Sequence, residues 1–326
     1  MNYRKLGKTG FDVSEISLGT WQVGGRWGSG FDQKGADRII NEAIDGGVNF
    51  IDTADVYENG KSETAVGRVV RSRSERIYVA TKCGRRISPH VNENFRPEVL
   101  QKFVEDSLKR LGLETLDLIQ LHCPPVEVYY RPEIFEMFER LQSQGKIRNL
   151  GVSVEKVEEG LKAIEYENVT TVQVIFNVFR QRPADLFFKE ASRKNVGIIV
   201  RVPLASGLLT GKYDAGTRFE AGDHRQFNRN GESFDRGETF SGVDYDRGLT
   251  AVAELKKVFP KDLALWALRW VLMFDEVSVV IPGASRRELA EANVRASDLP
   301  PLSEAQMNRV REIYDEFIKP EVHQRW

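Results

Sequence analysis

The sequence predicts a (β/α)8 barrel (TIM barrel) with long βα loops after strands three, four and seven and an extra C-terminal helix. Three observations predict it. Short apolar runs alternate with amphipathic stretches on the order of 11 to 18 residues. The alternation recurs eight times along the chain. The connections are too long for hairpins, so consecutive strands run parallel. At 326 residues the chain accommodates a barrel of about 250 residues with insertions, and it reads as one domain over 1–326.

The strand candidates, in order, are 15–20 (EISLGT), 48–53 (VNFIDT), 77–82 (IYVATK), 116–122 (LDLIQLH), 147–153 (IRNLGVS), 171–176 (TVQVIF), 197–202 (GIIVRV) and 277–281 (VSVVI). Helical periodicity occupies 34–46, 61–71, 97–111, 131–144, 154–167, 183–194, 261–274 and 285–295, and 303–318 reads as the additional helix. Pro97 and Pro132 suit helix starts, whereas Gly46-Gly47, Gly112 and Gly145 suit helix ends. The surplus length falls in 84–96, 123–131 and 204–247. The last is rich in Gly, Asp, Arg and Phe and fits an ordered functional loop better than a linker between domains. A doubly wound sheet would want a Gly-rich turn after its first strand, and Trp21-Gln22-Val23-Gly24-Gly25 does not supply one.

Composition narrows the function classes. Forty-seven basic against 48 acidic residues leave a formal charge of −1, so no net field favours nucleic acid or anionic lipid. No apolar run reaches the roughly 20 residues of a membrane span, and the first residues lack a signal peptide's apolar core. Two cysteines do not make a disulfide framework, which fits a cytoplasmic protein. Cys83 and Cys123 directly follow Lys82 and His122, so strand alternation turns both thiols away from the mouth, toward the layer beneath the helices. No fourth ligand is placed to complete a metal site with them. The oligomeric state is not legible.

A parallel barrel carries its chemistry at the carboxyl ends of its strands. There the second strand offers Asp52 and, five residues on, Tyr57; the third ends in Lys82 and the fourth in His122. A phenol with an ordinary pKa near 10 donates a proton more readily beside a cation that stabilises phenolate. A shift of about two units through Lys82 corresponds to roughly 2.7 kcal/mol. Asp52 keeps Lys82 charged and aimed, and His122 orients the substrate oxygen or shares proton transfer at low pH. Such a group handles a carbonyl oxygen becoming an alkoxide.

These residues stand within motifs that resemble the aldo-keto reductases. The resemblance runs from Arg4-Lys5-Leu6-Gly7 and Ser17-Leu18-Gly19-Thr20-Trp21 through Asn49–Tyr57, Ser62-Glu63, Val79–Lys82, Ser107–Leu111 and Asp117–His122. It continues in Gly145–Arg148, Gly151-Val152-Ser153 and Ile281-Pro282-Gly283. It implies a barrel that binds a nicotinamide dinucleotide without a Rossmann domain, with Tyr57 as acid–base and Asp52, Lys82 and His122 completing its tetrad. A small-molecule carbonyl or alcohol is the implied partner. The rivals are a cofactor-sensing subunit with vestigial catalysis and a lyase with a Schiff base on Lys82. Asp52 opposes the second by keeping the lysine charged.

Cofactor positions follow from the same reading. Gly19, Thr20, Trp21 and Asp52 fall at the opening of the site. Gln173 supplies an amide and Ser153 a hydroxyl for the nicotinamide carboxamide, and Phe176 an aromatic face for the ring. The segment Pro203, Leu204, Ser206, Gly207, Leu209 and Lys212, with Arg218, resembles a pyrophosphate loop. Gly283, Ser285, Arg286 and Asn293 open the last helix, where helix-start N–H groups and a guanidinium suit the 2′-phosphate of NADP (NADPH). The lack of an acidic residue there disfavours NAD. Val154 stands where the family often has Asn. On the substrate side, Trp21, Trp27, Tyr129 and Tyr130 are candidates for an aromatic wall around Tyr57 and His122.

Overall fold

The computed structural model describes residues 1–25 and 30–326; Trp27, a candidate wall residue, lies outside them. The chain opens with an antiparallel hairpin, β1 (Tyr3–Lys5) and β2 (Asp12–Ser14). Eight parallel strands follow: β3 (Leu18–Gly19), β4 (Phe50–Asp52), β5 (Tyr78–Cys83), β6 (Leu116–His122), β7 (Ile147–Ser153), β8 (Val169–Ile175), β9 (Gly197–Arg201) and β10 (Val277–Val280). They are hydrogen-bonded in sequential order. The sheet curls until its edges meet, through parallel bridges Ile16 to Val280 and Gly19 to Gly283. At that seam a Cβ on Gly19 would lie 2.8 Å from the Ile281 carbonyl oxygen, so a side chain there would push the edges apart.

Apolar side chains inside the barrel form their own cluster: Phe50, Ala80, Leu118, Ile199 and Val279, joined by Leu6, Phe11 and Val13. The last three come from the hairpin, which closes the amino-terminal end of the barrel. Phe11 stacks on Tyr78 with ring centroids 4.2 Å apart. Gly7, at φ +50°, approaches so closely that a Cβ would sit 2.2 Å from the Gly197 nitrogen. Sequence periodicity does not reveal this plug, because each strand has only three residues.

Helices cover the outside: α1 (Gln33–Asp45), α2 (Lys61–Ser72), α3 (Pro97–Leu111), α4 (Pro132–Ser143), α5 (Val157–Ala163) and α6 (Phe187–Arg193). After β9 come the short α7 (His224–Phe227), then α8 (Tyr245–Val258) and α9 (Leu263–Val271). The chain ends with α10 (Arg287–Val294), α11 (Glu304–Ile313) and α12 (Lys319–Val322). Pro97 and Pro132 are the first residues of their helices, and Gly112 caps α3 at φ 65°. Helix α8 was not expected from the sequence. It buries Ala251, Val252 and Leu255, and Gly248 sits in its first turn.

The tail folds back over the carboxyl-terminal face. Trp326 is buried, its ring nitrogen donates to Asp235 Oδ1 at 2.8 Å, and the Arg180 guanidinium lies 4.3 Å above its ring. A Cβ on Gly242 would meet that indole at 2.4 Å. The tail thereby fastens part of the loop after β9.

Candidate active site

Three strand ends build the centre. Register pairs Asp52 with Ala80 and Lys82 with Gln120, so alternate residues face inward in one layer above the apolar plug. Tyr57 follows β4 on a turn, Tyr57–Gly60, in which Glu58, Asn59 and Gly60 all have positive φ. Helix α2 then anchors the strand ends. Ser62 Oγ donates to Thr20 Oγ1 at 2.8 Å and lies 3.0 Å from Thr53 Oγ1, while Thr81 Oγ1 donates to Glu63.

Lys82 Nζ donates to Asp52 Oδ1, to the Thr53 carbonyl at 2.9 Å and to the Tyr57 hydroxyl at 3.2 Å. Asp52 is held on its other oxygen by Gln173 Nε2 at 2.8 Å and Gln120 Nε2 at 3.1 Å. The His122 ring stands edge-on to Tyr57, centroids 6.3 Å apart. The structure therefore brings Asp52, Tyr57, Lys82 and His122 together.

The electrostatics refine the expectation for the phenol. Burial pushes Tyr57 above its ordinary value, and the Lys82 ammonium draws it only part of the way back. Tyr57 thus holds its proton at neutral pH, which is the state of a donor; the anticipated net lowering does not occur. Burial alone would discharge Lys82, but Asp52 and then Tyr57 outweigh it and raise the lysine. His122 is driven well below its ordinary value by burial and then by Lys82, Arg85 and Arg201. It is therefore neutral, which leaves it orientation rather than low-pH proton transfer.

Several expected contacts fall elsewhere. Phe176 is fully buried, stacked on Trp270 with centroids 5.1 Å apart and edge-on to Phe188 and Phe274. It belongs to the layer between barrel and helices, because it has the opposite parity to Gln173, and it does not face the mouth. Tyr129 is fully buried in the same core, and Tyr130 is 64 % exposed under Lys162 of α5. Neither joins a wall around Tyr57. Trp21 stands at the mouth against His224 and Phe234, with centroids 4.7 and 6.4 Å away.

In the segment after β9, the amides of Gly207 and Leu209 bond to the Leu204 carbonyl, and Leu209 is buried. Ser206 Oγ donates to the Glu238 carbonyl and accepts from Phe240 N, so it braces the loop. These groups serve the fold of the turn and not an open N–H cradle; Pro203 is buried within it. Lys212 is exposed, and Arg218 turns back onto the Ala215 and Thr217 carbonyls at 3.2 and 3.3 Å. The start of α10 is open: Gly283, Ser285 and Arg286 are exposed, and Asn293 Nδ2 donates to the Gly283 carbonyl. An acidic residue does stand here, since Glu288 lies 3.7 Å from Arg286.

The thiols also divide. Cys83 lies in the outer core, as alternation requires. Cys123 has φ +46°, which ends the alternation, and its sulfur lies 3.7 Å from both Ser153 Oγ and Arg201 Nη2. Cys123, Glu155 and Glu238 bring three potential metal-binding atoms within 4.8 Å of one another. Their chemistry does not suit an ion. Arg85 and Arg201 already pair with the carboxylates, burial pushes the thiol up to about 12, and burial with Glu238 pushes Glu155 up to about 7.

Gln120, Arg201, Arg85, Glu155 and Glu238 were missed in the sequence. The available signal was a polar residue inside an apolar run, as in LDLIQLH and GIIVRV. The mouth also retains buried atoms without a hydrogen-bond partner among the described residues: His122 Nδ1 and Arg201 Nε. With the hydroxyl of Ser153 and the open start of α10, these residues fit a polar, elongated ligand such as a nicotinamide dinucleotide.

A parallel barrel with a protonated phenol at its mouth, backed by a buried ammonium, is equipped to give a proton to an oxygen that gains charge. A barrel oxidoreductase acting on carbonyl groups is a class that uses such a donor. The family model described as "Aldo/keto reductase family" matches residues 15–315, and the chain belongs to that family. It is 30% identical over 307 residues to the aldo-keto reductase YhdN of Bacillus subtilis, covering 90% of this chain and 87% of the relative. It is also 30% identical to the NADH-specific methylglyoxal reductase of Escherichia coli, covering 94% and 97%. Among solved structures, the glycerol dehydrogenase AKR11B4 of Gluconobacter oxydans superposes with a TM-score of 0.78 at 30% identity, covering 99% and 96%. The protein is an oxidoreductase that interconverts carbonyl compounds and alcohols and uses a nicotinamide cofactor.

Proposed function

We propose that the protein is an NADP(H)-dependent reductase of small aldehydes, ketones or sugar-like hydroxy carbonyls, acting as one barrel domain in the cytoplasm. Tyr57 is the proton donor. The observation that carries this reading is the 3.2 Å contact from Lys82 Nζ to the Tyr57 hydroxyl, with Lys82 bound in turn to Asp52. A nicotinamide, when bound, supplies hydride to the carbonyl carbon. As the carbonyl oxygen gains charge, Tyr57 transfers its proton to it, and the Lys82 ammonium stabilises the phenolate left behind. Neutral His122 holds the same oxygen by a hydrogen bond. Gln120 and Gln173 keep Asp52 in place, and Asp52 keeps Lys82 charged.

Preference for the 2′-phosphate rests on Arg286, Ser285 and the exposed first turn of α10. Glu288 moderates that charge, and a relative is named NADH-specific, so the test uses both cofactors. Absorbance of NADPH and NADH is followed with a panel of aldehydes, ketones and hydroxy carbonyls. Faster turnover with NADPH supports the assignment, and equal or faster turnover with NADH overturns the preference. Tight NADPH binding with negligible turnover across the panel would favour the sensing role.

A further inference from the structure

Arg201 is the last inward-facing position of β9, two residues beyond Ile199 of the barrel interior, and it pairs in register with Ile175. Its side chain is nine-tenths buried and fixed on three sides. Nη2 donates to the Val154 carbonyl at 3.1 Å and lies 3.7 Å from Cys123 Sγ, and Nη1 pairs with Glu238 at 3.3 Å. Nε is buried with no hydrogen-bond partner among the described residues. A buried guanidinium N–H left open costs free energy unless a ligand meets it.

The neighbouring groups define that ligand. Gln173 gives its amide nitrogen to Asp52 and to Gln120 Oε1, at 2.8 and 3.0 Å, so both amide hydrogens are engaged and only its oxygen is left to accept. A carboxamide docked against Gln173 gives N–H to that oxygen and then needs a donor for its own oxygen. Ser153 and Arg201 flank the same cysteine sulfur, each 3.7 Å from it. Val154, the residue after Ser153, brings no polar side chain; its carbonyl instead anchors the guanidinium.

We propose that Arg201 is a cofactor-positioning residue whose Nε–H donates to the nicotinamide carboxamide oxygen and so fixes the orientation of the ring. The proposal rests on the nicotinamide binding described above. Arg201→Lys retains a cation for Glu238 and removes the Nε donor. Binding of NADPH and of 2′,5′-ADP, which lacks nicotinamide, is titrated by calorimetry on the full chain. About tenfold weaker NADPH binding with unchanged 2′,5′-ADP binding is expected. The wild type is also expected to bind the thionicotinamide analogue more weakly than NADPH, since sulfur is a poor acceptor. Arg201→Gln is a second variant in case lysine disturbs folding.

Equal NADPH affinity in wild type and variants would overturn the proposal, as would parallel loss of both nucleotides, which would mean that Arg201 only shapes the Glu238 loop. Unchanged NADPH binding with a raised KM for glyceraldehyde but not propanal would also overturn it, assigning the donor to substrate. Failure of the wild type to bind any nicotinamide nucleotide would sink the cofactor reading as well, which separates the two.

Discussion

Asp55 offers a quantitative test of the electrostatics around the centre. It lies three residues beyond Asp52, fully buried, and among the described residues neither carboxylate oxygen has a side-chain hydrogen-bond partner. Burial, reinforced by Glu63 and offset in part by Arg110 and Arg86, raises it from 3.8 to about 7. The native state therefore binds this proton more tightly than the unfolded chain, so the group weakens the fold as pH rises. With an unfolded value near 3.9, the penalty is about 1.5 kcal/mol at pH 5 and about 4 kcal/mol at pH 8.5, from about 1.36 kcal/mol per unit. Asp55→Asn removes the charge and conserves size. Urea unfolding of both proteins at the two pH values should show the variant's relative stability increasing by roughly 3 kcal/mol toward pH 8.5. If both proteins change with pH by the same amount, Asp55 is not a buried, strained carboxylate and the reasoning fails.

Other consequences are as specific. Phe176→Ala should destabilise the fold by roughly 3 to 5 kcal/mol while leaving NADPH affinity unchanged, because the ring packs on Trp270 and not on the cofactor; thermal melts and a binding titration check both. His224 should show no NMR titration above about pH 5, because burial holds it at about 4, and His122 should stay neutral through neutral pH, because burial and the neighbouring Lys82 hold it well below its ordinary value. Gly67→Ala should destabilise by at least ~1 to 3 kcal/mol, since its Cβ would lie 2.0 Å from the Leu111 carbonyl oxygen where α2 crosses α3; a lower urea midpoint would register it.

The eight barrel strands were legible because each is a short apolar run between turn-forming residues, and strand alternation then placed Cys83 in the outer core. Phe176, the first residue past β8, keeps the outward parity of its strand and packs on Trp270. The hairpin plug was hidden by its short strands, and α8 by the helix-weakening Gly248 in its first turn. Cys123 escaped the rule because its positive φ lies just past the strand end, where alternation no longer applies. Arg201, Glu155 and Glu238 come from three separate segments, and nothing in their spacing announces that they meet. Tyr57 was found by residue type and position, but the direction of its shift depends on burial, which a one-dimensional pattern does not measure.

The central claim is that Tyr57 gives the proton while Lys82 supports it. Its most direct test is single-turnover reduction of an aldehyde by enzyme preloaded with NADPH, comparing wild type with Tyr57→Phe. The account predicts that the variant binds NADPH as tightly as wild type but reduces the aldehyde at least about a hundredfold more slowly, the usual scale of a lost general acid. Reduction at the wild-type rate would contradict it.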